Sequence, residues 1–270
     1  MKFIDTHAHL YSEEFEADRA AMIERAVEAG VTELYLPNID SQSIPSLLSL
    51  EAAFPDNCFA MMGLHPCYVK ENYETELSIV KKHLDSRAFA AVGEIGIDLH
   101  WDKSTLEIQK IAFREQIKWA KELNIPIVIH GRKAMHEILP IVKKEKDDRL
   151  RGIFHAFSGS AVEAHEIIEL GFLMGIGGVM TYKNAGLADI VKDFPLEHFV
   201  LETDAPYLTP VPHRGKRNES SYIPLIAQAL ANATNKSIEE VATQTTANAA
   251  KLFAGYRKPI TPENFGEVGN

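Results

Sequence analysis

Cysteine is scarce in this 270-residue chain, which has only Cys58 and Cys67. Two thiols allow at most one disulfide, which excludes the cross-linked frameworks that hold small secreted domains together. Cys58 stands in an apolar run, where a buried free thiol is the simplest expectation. No apolar stretch approaches the roughly 20 residues needed to cross a bilayer. The N-terminus reaches Asp5 and His7 before any signal-peptide apolar segment fits, so the expected setting is the cytoplasm. No glycine-rich dinucleotide loop follows any apolar run. Basic excess is lacking too: 28 Lys and Arg stand against 38 Asp and Glu, a formal net charge of -10. That balance argues against broad electrostatic coating of duplex DNA. It leaves room for a local phosphate site, because bound cations reverse the sign of an acidic cleft.

What is present is a full globular core, with 46% hydrophobic and 24% charged residues. Apolar, β-favouring runs fall at 2–7, 33–37, 58–64, 88–95, 125–130, 152–157, 172–176 and 199–203. Most are continuous rather than alternating, as strands buried on both faces require. Amphipathic stretches predict helices over 15–29, with Gly30 as its C-terminal stop, and over 106–123, 134–146, 161–170, 187–193 and 222–233. The capping box Ser237-Ile238-Glu239-Glu240 opens a last helix running to about Phe253. About eight βα units in one chain of this length predict an α/β fold, a single-domain (β/α)8 TIM barrel over residues 1–256. The competing open, doubly wound sheet lacks its glycine-rich loop. Residues 257–270, rich in Pro, Gly and acids, read as a loosely packed C-terminal tail.

The histidines and acids fall where such a barrel builds its site. His7 and His9 are two apart in the first run, so they face the same way. Glu94, His130, His155 and Asp204 each close a later run, at the rim where barrel strands end. Four imidazoles and two carboxylates are too many for one open ion site. They suit two divalent ions, zinc, magnesium or manganese, sharing one carboxylate. Glu94, flanked by Gly93 and Gly96, is the best bridge. Barrel closure brings Asp204 beside His7 and His9, where it can bind an ion and take a proton from an activated water. Glu202 shares the face of Asp204 and is expected to support a ligand from behind.

These segments resemble the TatD family of metal-dependent deoxyribonucleases, within the wider amidohydrolase-like barrels. The likeness lies in Asp5-Thr6-His7-Ala8-His9, Gly63-Leu64-His65-Pro66, Gly93-Glu94-Ile95-Gly96-Ile97-Asp98, His130-Gly131-Arg132 and His155-Ala156-Phe157-Ser158-Gly159. It continues through Glu202-Thr203-Asp204-Ala205-Pro206-Tyr207-Leu208 and Arg214-Gly215-Lys216-Arg217-Asn218-Glu219. The resemblance implies a two-ion barrel with His7, His9, Glu94 and Asp204 on the first ion and Glu94, His130 and His155 on the second. It implies phosphodiester hydrolysis of DNA with 3′→5′ exonuclease action. Ala156 stands where the family often has Cys, Ser220-Ser221 where Pro usually follows Glu219, and Asp98-Leu99-His100-Trp101 lacks a frequent Tyr. These departures touch the rim and bear on substrate preference.

For substrate, His65 is placed to donate to a phosphate oxygen, and Arg132 shares the face of His130 and can clamp phosphate. Arg214 and Arg217, in the basic patch His213-Arg214-Gly215-Lys216-Arg217, are further phosphate contacts, and Tyr207 and Trp101 can stack unpaired bases. The expected partner is DNA, at single-stranded segments or ends, with no membrane and no obligate protein partner. Two other readings use the same residues: a small-molecule amide, ester or lactone hydrolase, and a non-catalytic interaction protein keeping a structural metal. The Arg residues at the rim favour phosphate over the first. The surplus of donors over the four of a closed structural site disfavours the second.

Overall fold

The computed structural model describes residues 1–256; the tail singled out above lies outside the described residues. Eight short strands run in parallel among them: β1 (Phe3–Asp5), β2 (Val31–Leu36), β3 (Cys58–Ala60), β4 (Val92–Asp98), β5 (Ile127–Arg132), β6 (Gly152–Phe154), β7 (Leu173–Ile176) and β8 (Phe199–Leu201). Regular ladders join β1-β2-β3 and β4-β5-β6-β7-β8 in sequence order. Two seams close the ring. Between β3 and β4, Ala90 N–H donates to Ala60 O at 3.0 Å and Met62 N–H to Ala91 O at 3.1 Å. Between β8 and β1, Thr6 N–H donates to Leu201 O at 3.0 Å, and Ala8 forms a parallel bridge with Ala205. The architecture is the (β/α)8 barrel that the apolar runs predict.

The helices are α1 (Arg19–Glu28), α2 (Ile44–Ala53), α3 (Tyr73–Ser86), α4 (Leu106–Leu123), α5 (Met135–Glu145), α6 (Ala161–Glu169), α7 (Leu187–Val191), α8 (Ile223–Thr234) and α9 (Ile238–Phe253). Apolar periodicity alone does not mark α2, whose Ile44-Pro45 start and near-uniform apolar sequence give little contrast between faces. Helix α3 does bury Leu77, Val80 and Leu84 on one face at helical spacing. The first helix starts later than expected, at Arg19, after a 3-10 turn at Glu13–Phe15. Strands β4 and β5 run further than expected, to Asp98 and Arg132. Cys58 and Cys67 are both free thiols, so the one possible disulfide is absent. No helix among the described residues is long and apolar enough to cross a membrane.

Two apolar layers result. The larger lies between strands and helices. The smaller fills the barrel with Ile4, Phe59, Met61, Val128, Ile153 and Val200, joined by Leu252 and Phe253 from the end of α9. Phe253 stacks on Tyr35 with ring centroids 3.9 Å apart. The last helix therefore plugs the N-terminal end of the barrel and leaves the C-terminal end as the open mouth. Replacing Phe253 by Ala should cost about 3–5 kcal/mol, as a truncated core aromatic does. Denaturant titration reads this; a loss below about 1 kcal/mol would show that α9 is not the plug.

Candidate metal centre

The seam between β8 and β1 assembles half of the site. Regular pairing of β1 ends at Asp5, earlier than the sequence suggests, yet the chain stays anchored beyond it. Asp204 N–H donates to His7 O at 2.9 Å and His9 N–H donates to Ala205 O at 2.7 Å. These bonds set His7, His9 and Asp204 side by side. The buried carboxylate of Asp5 bolts the seam. It accepts from Thr203 N–H at 3.0 Å, the Thr203 hydroxyl at 2.6 Å, the Ser220 hydroxyl at 2.7 Å and His7 N–H at 3.3 Å. Burial raises the Asp5 carboxyl to about 7, against these four bonds, which pull it down. Asp204 itself has φ +57°, a left-handed conformation that costs energy outside glycine, so the site fixes its direction through the backbone.

Glu94 sits at the centre. It lies inside β4 rather than at its end, where the register with β5 shifts between Val92 and Ile95. Its two oxygens face different partners. Oε2 is 3.2 Å from His7 Nε2 and 3.5 Å from His9 Nε2. Oε1 is 2.8 Å from His130 Nδ1, 3.0 Å from His155 Nε2 and 3.6 Å from His65 Nε2. Asp204 Oδ1 completes the first group, 3.7 Å from His7 Nε2 and 3.5 Å from His9 Nε2. Separations of this size are the edges of a donor set around an ion at roughly 2.0–2.2 Å. Donor sets able to hold an ion occur as His7-His9-Glu94, His7-His155-Asp204 and His65-Glu94-His130. All six donors expected from sequence converge, and His65 joins them.

Hydrogen bonds behind the imidazoles decide which nitrogen is free. The single proton of the Tyr11 hydroxyl goes to Pro37 O at 2.7 Å, so Tyr11 accepts from His9 Nδ1 at 3.1 Å. In the neutral ring the lone pair of His9 is then on Nε2, the nitrogen that faces Glu94 and Asp204. His130 lies between two carboxylates, with Nε2 2.8 Å from Asp98 Oδ2 and Nδ1 2.8 Å from Glu94 Oε1, and against burial these two bonds hold its pKa above the ordinary imidazole value. His65 is opposite: Cys67 N–H donates to its Nδ1 at 3.1 Å, so the neutral ring carries its proton on Nε2, aimed into the cluster. Burial lowers His65 to about 3, which keeps it neutral. It is a proton donor to anionic oxygen, whereas His9 in its neutral form offers an Nε2 lone pair. Behind His155, Nδ1 is 3.3 Å from Glu202 Oε1, an ion-pair contact rather than an aligned hydrogen bond. Glu202 is fully buried against Gly175, where any Cβ would collide with its carboxylate.

Tyr11 and Asp98 are not among the residues singled out from sequence. Tyr11 follows His9 by two but lies in a turn beyond β1, so strand alternation does not mark it and its role shows only in the bond with His9 Nδ1. Asp98 depends on packing. His100 N–H and Trp101 N–H donate to its Oδ1, and buried Gln109 of α4 bonds both its backbone N–H and C=O. Seven residues along the same helix, Gln116 does the same for Leu64, next to His65. Of the expected phosphate contacts, Arg132 lies over the Trp101 ring and Arg214 over Tyr182, neither in an ion pair among the described residues. Arg217 is committed elsewhere: its guanidinium forks onto Asp18 at 2.7 and 2.8 Å and covers Phe15.

Charges in the cluster balance one another. Burial pushes the Glu94 carboxyl up, but the facing imidazoles of His155, His7 and His65 outweigh it and hold it well below the usual range. Burial likewise disfavours charge on His9 and His155. Tyr11, Asp204 and Glu94 overcome this at His9, and Glu94 and Glu202 at His155, so both stay protonated well above the ordinary imidazole value. His7, buried and stacked 3.8 Å from His155, is lowered. Without an ion, the cluster therefore holds protons at neutral pH that an ion must displace. Apparent metal affinity should rise with pH through and above the ordinary imidazole range, with protons released on binding. Calorimetry in two buffers of different ionisation enthalpy measures this, and a flat profile would contradict it. Tyr11→Phe frees the His9 tautomer and should weaken metal binding about 10–100-fold with the fold intact. Metal titration followed by circular dichroism checks both.

A model of the TatD related DNase family matches residues 4–254. The uncharacterized metal-dependent hydrolase YabD of Bacillus subtilis is 40% identical over 250 residues, covering 92% of this chain and 98% of its own. The 3'-5' ssDNA/RNA exonuclease TatD of Pantoea ananatis is 31% identical over 255 residues, covering 92% and 98%. The crystal structure of the TatD homologue YjjV of Escherichia coli superposes with a TM-score of 0.87 at 30% identity, covering 93% and 98%. With its barrel closed and its imidazoles gathered on one carboxylate, this chain belongs to the family of TatD-related DNases.

Proposed function

We propose that this protein is a metal-dependent phosphodiester hydrolase, a deoxyribonuclease acting 3′→5′ on single-stranded segments or ends of DNA. One observation carries the reading: the two oxygens of buried Glu94 face two separate sets of imidazoles, as a carboxylate shared by two cations does. The donors suit zinc, manganese or magnesium. On this reading His7, His9, Glu94 and Asp204 hold one ion, and Glu94, His130 and His155 the other. Such ions lower the pKa of a water and neutralise phosphate charge.

The chain's own residues do the rest. Asp204, at the mouth with its side chain 15% exposed, orients the water and accepts its proton. The Nε2–H of His65 donates to a non-bridging phosphate oxygen. Asp98 and Glu202 keep His130 and His155 in register. Arg132 and Arg214, unpaired among the described residues, hold neighbouring phosphates. Arg217, paired with Asp18, shapes the loop that carries Arg214. Unpaired guanidinium groups at the rim favour a phosphodiester over an uncharged amide, ester or lactone. The name of the Pantoea ananatis relative supports exonuclease action on single strands.

Metal-stripped protein should not hydrolyse end-labelled single-stranded DNA, and activity should return on adding back one of the three ions. At saturating metal, Asp204→Asn should lower kcat by about 10²–10⁴-fold, the loss of a general base. Wild-type turnover in that variant would remove Asp204 from the proposed role, and cleavage of closed circles as fast as linear strands would remove the preference for ends.

A further inference from the structure

Among the described residues three large aromatic side chains are exposed: Tyr68, Trp101 and Tyr207, at 41%, 72% and 54%. They come from distant parts of the chain, yet all stand on loops leaving the C-terminal ends of strands, after β3, β4 and β8. Of the exposed aliphatic residues only Val211 stands on such a loop; Val27, Ile111, Leu123 and Val162 are scattered over helices. Two of the rings adjoin the donor cluster. The Tyr207 centroid is 6.3 Å from the His9 ring and that of Tyr68 is 6.0 Å from the His65 ring.

Trp101 stands further out. The Arg132 guanidinium lies 5.6 Å from its centroid, and the His100 ring 4.8 Å. Arg132 and His100 line, together with His155, a cleft of about 510 Å³ leading away from the donor cluster. Trp101 thus stands beside two of the residues, Arg132 and His100, that line a cleft shared with the ligand candidate His155. Lys133 lines the same cleft and, like Arg132, makes no ion pair among the described residues. In the grooves of the helical flank Lys81, Lys118 and Lys121 are paired with Asp85, Glu115 and Asp147, while Lys82 and Arg114 are not in an ion pair among the described residues.

We propose that these three rings are stacking platforms for unpaired nucleobases, Tyr68 and Tyr207 at the scissile phosphate and Trp101, backed by Arg132, one position further along the strand. Every base has a π-face, so stacking is tolerant of sequence. A base inside a duplex already has both faces covered by its neighbours and cannot reach such a ring. Arg132 adds a cation over the Trp101 ring and a fork for the following phosphate. The platforms accept DNA and RNA bases alike. The inference rests on the phosphodiesterase reading above and names the part of the substrate that the mouth recognises.

The test compares metal-loaded wild type, Trp101→Ala and Trp101→Phe on end-labelled oligonucleotides, intact or with abasic sites near the 3′ end. Trp101→Ala should lower kcat/KM on intact strands ~10–100-fold. Trp101→Phe should restore most of it, and all three proteins should match on abasic strands. Binding gives a second readout. The only other tryptophan, Trp119, is buried, so intrinsic fluorescence reports largely on Trp101. A phosphorothioate oligonucleotide should quench it in wild type and leave Trp101→Phe nearly unchanged. Equal losses on intact and abasic strands, or no loss and no quenching, would overturn the inference. If wild type cleaves no nucleic acid, the phosphodiesterase reading falls instead, and quenching alone decides whether the aromatic mouth binds bases.

Discussion

A carboxylate held out of water among five imidazoles is the constraint around which this molecule is built. Glu94 is 1% exposed, and a buried charge survives only where opposite charge and hydrogen bonds compensate it. Here compensation comes from opposite sides. His7 and His9 approach Oε2, and His130 and His155 approach Oε1. His7 and His9 come from the β8–β1 seam, His130 from β5 and His155 from the end of β6, so the balance exists only when the cylinder is shut. Charge pairing and barrel closure are in that sense one event.

Rigidity is supplied from outside the cluster. Asp5 ties β1 to the chain leaving β8 through three accepted hydrogen bonds, two from Thr203 and one from Ser220. The two glutamines of α4 clamp the chain at Leu64 and Asp98, and so position His65 and the carboxylate behind His130. The plug formed by Phe253 and Leu252 fills the opposite end, which leaves the mouth as the place where polar groups can face solvent. Such a scaffold holds donors still while the loops above them vary, the division of labour expected of barrels.

The fold was largely legible from alternating apolar runs and helical stretches, because buried parallel strands need uninterrupted apolar residues. Helices α2 and α3 were not marked by those runs, and both strand and helix ends moved. Closure sets how far β4 and β5 extend: Gly96 has φ +144° and packs on the His130 carbonyl, where a Cβ would collide. The donors were legible too, as His, Glu and Asp at run ends. The supporting set was only partly so. Glu202 shares the face of Asp204 by period two, but Tyr11, in a turn, and Asp98 are recognisable only once His9 Nδ1 and His130 Nε2 are seen 3.1 and 2.8 Å away. Arg217 illustrates the converse. Its place in a basic patch suggests phosphate, and a carboxylate 199 residues away in sequence claims it.

By itself the sequence determined the kind of chemistry: imidazole and carboxylate donors at the ends of five of eight apolar segments, in a chain too acidic to hold DNA by charge alone. Identity and spacing along one strand are local properties, and alternation fixes them. Tertiary structure alone decided which nitrogen of each histidine is free, which arginines remain unpaired and which oxygen of Glu94 faces which group. Those outcomes depend on contacts between residues tens to hundreds of positions apart, such as Tyr11 with Pro37 and Thr203 with Asp5. A proton settles on whichever acceptor the closed barrel brings within 3 Å, and no spacing in the chain records that choice.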